Sequence, residues 1–434
     1  MSIRDLVVFA ILIAGCAAAL SRPWIGVMLW TWLSLMSPHK LAWGFIVHFP
    51  VAQMAAIATL LGLLLTKDRR QFFVTRESAA LIVFMLWITL TYPFAFHPEA
   101  NFEMWTRVMK IDFMVLVTLV LLHSRQHIEL FVWVNVLSIG FYGIKGGIFT
   151  ILTGGQFRVT GPEGFIEENN ALALALVMTI PLVRFLQLQA THLWMRRGFS
   201  VTIVLIAASI LGSQSRGALL GISAMAVFLW YKSPRKLGLG IGLVLVGAVL
   251  LAFMPETWHS RMDTIQTYEQ DASAMGRINA WWMAWNLAMD RWSGGGFSTA
   301  TPAIFALYAP NPNVWLAAHS IYFQVLGGQG FIGLFIFLTI WLFTWQSAGW
   351  LIRHGGAMKE TLWCRHLGAM CQVSLIGYAT GGAFLSLAYF DLPYNIMAIV
   401  VLTRHWLESR AWEQEKIVYG SNVDSKPSRV GRPD

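Results

Sequence analysis

Residues 201–236 read VTIVLIAASILGSQSRGALLGISAMAVFLWYKSPRK, two apolar runs that are separated by the polar turn SQSRG at 213–217. The basic segments MRR at 195–197 and KSPRK at 232–236 flank the pair on its other end. We interpret the two runs as membrane-spanning helices. Because cytoplasmic loops carry an excess of Lys and Arg, the SQSRG turn is expected on the opposite, outer side.

The composition of the whole chain agrees with this interpretation. Of the 434 residues, 56% are hydrophobic and only 12% are charged, and the mean hydropathy is +0.59. Since one crossing needs about 20 apolar residues, this inventory allows about twelve crossings and leaves little for a water-soluble core. The 21 Trp and 28 Phe suit the aromatic belts of a bilayer. A soluble multidomain enzyme is therefore excluded.

Basic and apolar segments alternate along the rest of the chain. Short basic loops and the tail hold nineteen of the 31 Lys and Arg, whereas the intervening loops hold six. The net charge of +9 therefore orients the helices and does not indicate a nucleic-acid partner. From residue 67 onward the alternation predicts ten crossings, at about 79–95, 105–122, 128–144, 169–189, 200–213, 217–231, 237–253, 319–343, 366–388 and 393–408.

The first 66 residues contain three apolar runs. The first run could pass for a signal peptide, but the chain continues into more apolar sequence, so we expect a retained helix. A cytoplasmic N-terminus allows an even number of crossings before Lys67, so one run within 23–50 would be re-entrant, interfacial or half-length. This gives about twelve helices; the alternative is thirteen helices with the N-terminus outside.

One outer loop is much longer than the others. It covers residues 254–318 and contains GRINAWWMAWNLAMDRW at 276–292, whose apolar residues recur at helical spacing. We expect an amphipathic helix at the membrane interface, in a loop with a function of its own. The predicted class is an all-α polytopic membrane protein, divided into an N-terminal helix bundle (1–253), the large loop (254–318), C-terminal membrane helices (319–410) and a disordered cytoplasmic tail (411–434).

The arginines on the outer side are the first candidates for a functional site. Arg216 lies in the polar SQSRG turn, where its guanidinium could bind phosphate or carboxylate, or could reach lipid headgroups instead. Arg277 lies at the start of the amphipathic helix, where an anion would also meet the helix dipole. Arg158 lies in a Gly-rich loop beside Glu163, Glu167 and Glu168, and could equally form an ion pair within that loop.

His319 is the candidate for acid–base chemistry. It precedes an apolar run on the outer side, with Ser320, Tyr322 and Gln324 beside it, and histidine is the usual general base near neutral pH. A lone histidine at an interface is also often structural.

Other chemistries have weaker support. The pair Glu269 and Asp271 could hold a divalent cation, although two solvated loop carboxylates explain it as well. Ser213, Ser215 or Ser386 could be imagined as a protease nucleophile, but no GxSxG motif is present. The three cysteines have no metal-binding spacing and imply no disulfide framework.

Three blocks of the sequence together resemble a known family. SQSRGALLG, GRINAWWMAWNLAMDRWSGGGFS and AHSIYFQVLGGQGFIGL look like the motifs of the O-antigen ligase and polymerase family of bacterial inner-membrane glycosyltransferases. The opening RDLVVFAILIAG…RPWIGVMLWTWLSLMSPHKLAWGF and the segment GPEGFIEENNALALAL resemble its exosortase-associated O-glycosylation ligase branch. The resemblance covers nearly the whole chain except the tail.

This resemblance implies a glycosyltransferase of the inner membrane that acts at the periplasmic face without a metal or another cofactor. The donor would be a saccharide on undecaprenyl pyrophosphate, and the acceptor a sugar of lipid A-core. The essential histidine of the family falls on His319, and its pyrophosphate-binding arginines fall on Arg216, Arg277 and, less surely, Arg158. Ser215, Tyr322 and Gln324 would support the site. The prenyl chain would lie in the lipid bilayer, between helices.

Three alternatives remain open at this point. A polymerase of the same family would join donor units to each other, and a protein O-oligosaccharyltransferase would use a protein acceptor. A transporter of lipid-linked glycans would use the same arginines without forming a bond, but the large outer loop and the lack of internal repeats speak against it.

Overall fold

The structure is a computed structural model that describes residues 3–66, 72–233, 236–263 and 272–413. These residues form α-helices and a few short 3-10 turns, without a strand among them. Six of the helices are long and apolar enough to cross a membrane, and others are apolar but shorter. The predicted class of an all-α polytopic membrane protein is therefore confirmed. The proposed cation ligands Glu269 and Asp271, and the tail from residue 414, lie outside the described residues.

Sixteen α-helices follow one another along the described part of the chain. They are α1 (Ile3–Ser21), α2 (Pro23–Met36), α3 (Val51–Leu65), α4 (Arg76–Thr91), α5 (Pro98–Leu121), α6 (Arg125–Leu152), α7 (Asn169–Gln189), α8 (Leu193–Gly212), α9 (Arg216–Lys232), α10 (Lys236–Ala252), α11 (Glu256–Asp263), α12 (Ala272–Asp290), α13 (Pro302–Tyr308), α14 (Ile321–His354), α15 (Leu362–Gly382) and α16 (Asp391–Glu408).

The connections between helices collect at two ends of the bundle. One end, here called the basic side, holds the described connecting residues 22, 66, 72–75, 122–124, 190–192, 233 and 355–361. The other end, the loop side, holds the described residues 37–50, 92–97, 153–168, 213–215, 253–263, 272–320 and 383–390. A salt bridge of 2.9 Å from Lys40 to Glu163 joins two of the loop-side connections. The alternation expected from the basic loops is therefore the one that the helices follow from α4 to α16.

The first three helices each run from one end of the bundle to the other. The start of α1 lies on the loop side, where the Arg4 guanidinium donates to the carbonyl of Leu41 at 3.1 Å and Asp5 accepts from the backbone N–H of Gly44 at 3.1 Å. The end of α1 lies on the basic side, where the hydroxyl of Thr66 donates to the Ser21 carbonyl at 3.0 Å. The side of the membrane on which the N-terminus lies, and the number of crossings, stay predictions.

Among the first three helices, α2 is the shortest. It has 14 residues and α3 has 15, so each is about 21–23 Å long at 1.5 Å per residue, less than a hydrocarbon core of about 30 Å. The half-length run expected within 23–50 corresponds to α2, a short helix that still runs from one end of the bundle to the other. Close packing supports the short helices, since a Cβ on Gly62 would lie 2.1 Å from the carbonyl oxygen of Ala19.

The expected helix is present as α12. Small and slender side chains, among them Ala280, Met283 and Leu287, are buried against α13 and α14. The larger aromatic residues Trp282 and Trp285 are 54% and 43% exposed. These two tryptophans therefore face away from the protein. Indole rings favour the bilayer interface, so this face of α12 suits a position there.

The helix that follows the large loop is broken near its start. Gly330 interrupts α14 with a positive φ of 69° and ψ of −175°. At this break the backbone N–H of Gly295 donates to the carbonyl of Gly327 at 2.8 Å, and the N–H of Gly296 to that of Gly328 at 2.9 Å. The break thus attaches the end of the large loop to α14 and fixes the segment 318–320 at the helix start.

Candidate active site

The SQSRG turn is held in place by its own polar side chains and by α7. The carbonyl of Ser213 accepts a hydrogen bond of 2.7 Å from the side-chain amide of Asn169. Gln214 has a positive φ of 55°, and the hydroxyl of Ser215 caps α9 by accepting from the Ala218 N–H at 3.3 Å. Arg216 is then the first residue of α9 and is half-buried. Arg216 is therefore at a helix N-terminus, whose backbone N–H groups attract anions.

Arg158 is brought to the same turn from the loop after α6. Its Nε donates to the Gln214 side-chain carbonyl at 3.3 Å, and the next residue, Val159, donates from its backbone to Gly212 at 3.1 Å. The expected alternative, an ion pair within its own loop, is not the contact that the structure shows. Glu163 pairs with Lys40 instead, and this neighbour holds the pKa of Glu163 below its usual value.

His319 lies immediately before α14 in a left-handed conformation, with φ of 43°. The preceding carbonyl, of Ala318, accepts a hydrogen bond of 2.7 Å from the indole N–H of Trp281. The Trp281 ring also stacks on Phe323, with 5.1 Å between centroids. Since Trp281 follows Arg277 by one turn of α12, the same contact that fixes His319 brings Arg277 to it.

Three effects act on the His319 imidazole. Burial lowers its pKa most, the Arg277 guanidinium lowers it further, and the Glu168 carboxylate raises it. The net pKa is below the usual value of histidine, so the ring is neutral near pH 7 and can accept a proton. The left-handed backbone adds to this picture, because strained φ/ψ values of non-glycine residues concentrate at functional sites.

Glu168 acts on His319, and the sequence did not predict that it lies near this histidine. It precedes α7 and is exposed, and its neighbour Asn169 holds the SQSRG turn. The sequence treated it as one of several carboxylates near Arg158. The sequence does show a carboxylate directly before a long apolar run, which could have singled out Glu168. Its nearness to His319 results from tertiary packing, which the sequence does not show.

Tyr322 and Gln324, expected as supporting residues, bind backbone groups of the fold. The hydroxyl of Tyr322 donates to the Ala379 carbonyl at 2.8 Å, and the side-chain carbonyl of Gln324 accepts from the Ala388 N–H at 3.3 Å. They attach the start of α14 to α15 and to the connection after it. Next to His319, the fully buried Ser320 has a hydroxyl without a hydrogen-bond partner among the described residues.

The serine-nucleophile alternative finds no support in these contacts. The hydroxyl of Ser213 donates to the Ile210 carbonyl at 2.6 Å, and that of Ser215 serves as the cap of α9. Each of these oxygens is committed to the backbone, whereas a nucleophile needs a hydrogen bond to its base.

The fold and the site together describe a polytopic membrane protein in which Arg277 and Glu168 lie near His319, while Arg158 contacts the turn that precedes Arg216. Residues 201–338 match the family described as O-Antigen ligase, and residues 3–191 match a family of unknown function, DUF5935. The segment 201–338 of the chain is therefore similar to the O-antigen ligase family. No curated protein matches the chain. The exosortase-associated branch stays a prediction.

The site takes residues from both matched segments. Arg216, Arg277 and His319 lie in the O-antigen ligase segment, and Arg158 and Glu168 lie in the other. The family match supports a glycosyl-transferring enzyme of ligase type in a multi-pass membrane protein. The N-terminal segment therefore contributes to the same cluster of charges as the ligase segment.

Proposed function

We propose that this protein transfers a saccharide from undecaprenyl pyrophosphate to a hydroxyl of a lipid A-core sugar at the periplasmic face of the inner membrane. In this reaction His319 is the general base, and Arg216, Arg277 and Arg158 bind the pyrophosphate. The observation that carries the proposal is the position of His319 beside Arg277, which together with burial keeps its imidazole neutral.

The proposed chemistry is a single displacement. Neutral His319 accepts the proton of the acceptor hydroxyl while its oxygen attacks the anomeric carbon. The bond from that carbon to the pyrophosphate oxygen breaks, and the electron pair leaves with the pyrophosphate. Fixed arginines stabilise the negative charge that develops on the leaving group, as donors placed in advance do in other enzymes. Attack opposite the leaving group inverts the anomeric centre.

The polarity of the bundle supports this orientation. Arginines are sparse on the loop side, yet Arg158 and Arg216 lie in neighbouring loop-side connections that are joined through Gln214. A pyrophosphate bound there would leave its prenyl chain beside the helices, in the lipid bilayer. The exposed tryptophans of α12 suit a loop that lies on the same membrane surface.

The test is incubation of the purified protein in lipid with a prenyl-pyrophosphate-linked glycan and separate candidate acceptors. We expect transfer by the wild type and a loss of about 10²–10⁴-fold in His319→Ala, the usual contribution of a general base. The matched control is His97→Ala, which removes an exposed histidine from the same side. Full activity of His319→Ala at normal membrane levels would refute the proposed base.

The same assay separates the alternatives. Transfer to lipid A-core marks a ligase, a ladder of longer donor-linked glycans marks a polymerase, and a glycosylated polypeptide marks a protein O-oligosaccharyltransferase. Movement of the donor across the membrane without a new glycosidic bond marks a transporter. Activity is expected to persist in EDTA, and inhibition that added cation reverses would bring a metal site at Glu269 and Asp271 back into consideration.

A further inference from the structure

A cluster of polar side chains lies inside the bundle, where α2, α5, α6 and α16 meet. Asp112 of α5 and Asp391 of α16 are its two carboxyl groups, and they are close enough to interact electrostatically. Asn135 of α6 and Asn395 of α16 are joined by a hydrogen bond of 2.9 Å. None of these residues belongs to the site around His319, and none is used by the proposed reaction.

Asp112 is fully buried, and neither of its oxygens has a hydrogen-bond partner among the described residues. It is the fifteenth residue of α5, about 20 Å along the helix at 1.5 Å per residue. An ionised carboxylate that is isolated in such surroundings loses its hydration without compensation, so the group takes up a proton instead. Ionisable groups at membrane depth are rare and are commonly functional.

Asp391 has different surroundings. It is 3% exposed, accepts a hydrogen bond of 2.5 Å from the Ser34 hydroxyl and is the first residue of α16. Arg107, one and a half turns before Asp112 on α5, acts on it electrostatically. Burial disfavours a negative charge on Asp391, and the hydroxyl donor, the backbone at the helix N-terminus and the Arg107 cation oppose this effect. Among the described residues, no hydroxyl or backbone donor does this for Asp112.

The charged group that acts on Asp112 is Asp391, which has the same sign. Tyr389 and Tyr394 also lie within electrostatic reach of Asp112. The hydroxyl of Tyr394 donates its hydrogen bond to the Ala388 carbonyl at 2.9 Å. It therefore does not stabilise a negative charge on Asp112. Two adjacent carboxyl groups cannot both ionise cheaply, so different surroundings assign them different states.

We propose that Asp112 and Asp391 form a proton-binding pair inside the helix bundle, in which Asp391 is the carboxylate and Asp112 carries the proton. The pair supplies one net negative charge at the α5–α16 interface instead of two. Its position within the bundle is that of the groups through which membrane proteins bind and carry protons. The proposal is independent of the glycosyl-transfer reaction.

The test is infrared spectroscopy of the wild-type protein and of Asp112→Asn in the same lipid at neutral pH. We expect the wild type to show the C=O stretch of a protonated carboxyl group that Asp112→Asn lacks. Asparagine has nearly the shape of the neutral acid, so the variant is expected to melt within a few degrees of the wild type. If Asp112→Asn keeps the C=O band and loses carboxylate bands, Asp112 is ionised in the wild type and the proposal is overturned.

Two further measurements keep the outcome clear even if the variant folds poorly. Carboxyl-¹³C aspartate incorporated into the wild type must shift the band to lower frequency, and an unshifted band would contradict an aspartic acid. Spectra in sodium and in choline chloride are expected to be the same. A band that is seen only without sodium would mean that the pair binds Na⁺ and not a proton.

Glu77 provides a matched control. It is also buried, at 2% exposure, but it accepts hydrogen bonds from Ser347 at 2.5 Å and from Arg76 at 3.2 Å. Glu77→Gln is therefore expected to remove a carboxylate signal and to leave the protonated band unchanged. Loss of the protonated band in Glu77→Gln would assign that band to Glu77 and overturn the assignment to Asp112.

Discussion

At the scale of single residues, Glu168 and Arg277 act on the same imidazole with opposite signs. Arg277 lowers the pKa of His319 and Glu168 raises it, while burial has the largest effect. The protonation state of the proposed base thus depends on one residue from each matched segment. The acid limb of the activity–pH profile should therefore report the pKa of His319.

Glu168→Gln should move that acid limb to lower pH. The carboxylate favours the protonated imidazole, so its removal lowers the pKa of His319 further and extends the neutral, active form toward acid. The measurement is kcat/KM for transfer against pH, which reports groups of the free enzyme. Glu167→Gln, an equally exposed neighbour, is the control and should leave the limb in place; a shift toward higher pH in Glu168→Gln would contradict the assignment.

Arg216→Lys should weaken donor binding about tenfold or more. Lysine keeps the charge at the start of α9 but lacks the planar fork that binds two phosphate oxygens at once, and each charge-assisted hydrogen bond contributes about 1.5–3 kcal/mol. The readout is the donor KM, with Arg22→Lys, an exposed arginine on the basic side, as the matched control. Unchanged donor KM in Arg216→Lys would remove Arg216 from the pyrophosphate site.

The residues of the site could be predicted only in part. Arg158, Arg216 and Arg277 stood out because arginine is sparse on the outer side. In the structure Arg277 acts on His319, and Arg158 contacts Gln214 in the turn before Arg216. The place of Glu168 beside His319 could not be predicted, because the two are 151 positions apart in the sequence and the contact depends on how α7 and α14 pack.

At the scale of helices, the break in α14 is the feature with the clearest energetic consequence. Gly330 has backbone angles of a region that only glycine adopts readily. A Cβ at this position would also lie 2.2 Å from the carbonyl oxygen of Trp292. Any other residue would therefore both strain the backbone and separate α14 from the end of the large loop.

Gly330→Ala is accordingly expected to lower the free energy of unfolding by roughly 1–3 kcal/mol from backbone strain alone, with a further cost from the clash. Thermal unfolding in detergent measures the change. Gly140→Ala is the control, because a Cβ there meets nothing within 4 Å inside α6, and alanine favours a helix by about 0.5–1 kcal/mol over glycine. Equal melting temperatures of the two variants would show that the break is not required.

The sequence predicted α12 as a helix but not the face that it buries. Its tryptophans recur at helical spacing, so they suggested an apolar face against the protein or the membrane. The structure buries Ala280, Met283 and Leu287 against α13 and α14. Hydropathy alone does not distinguish a side chain packed against protein from one packed against lipid.

At the scale of the whole molecule, the path of the first 66 residues decides which side the N-terminus is on. The contacts of Arg4 and Thr66 place the two ends of α1 on opposite sides. The basic-residue rule gave the correct alternation from α4 onward, since those loops are rich in Lys and Arg. It gives no clear prediction for α1 to α3, because Arg4 and Arg22 lie at opposite ends of α1.

Cysteine labelling would test this topology in intact cells. In a chain whose three cysteines are replaced by alanine, Ile3→Cys and Trp43→Cys should react with a membrane-impermeant thiol reagent alike, because both exposed residues lie on the loop side. Phe72→Cys, exposed on the basic side, should react only after the membrane is opened. Ile3→Cys that behaves like Phe72→Cys would support the twelve-helix topology.

The hydrogen bond from Trp281 to the Ala318 carbonyl has a mechanical consequence. It links the helix of Arg277 to the segment of His319, whereas Arg158 contacts the turn before Arg216, at the start of α9. If these two parts of the site move as units, a displacement of α12 carries the base and its cation together and keeps their separation constant. What such a movement changes is the gap between the two parts, and therefore the length of anion that fits between them.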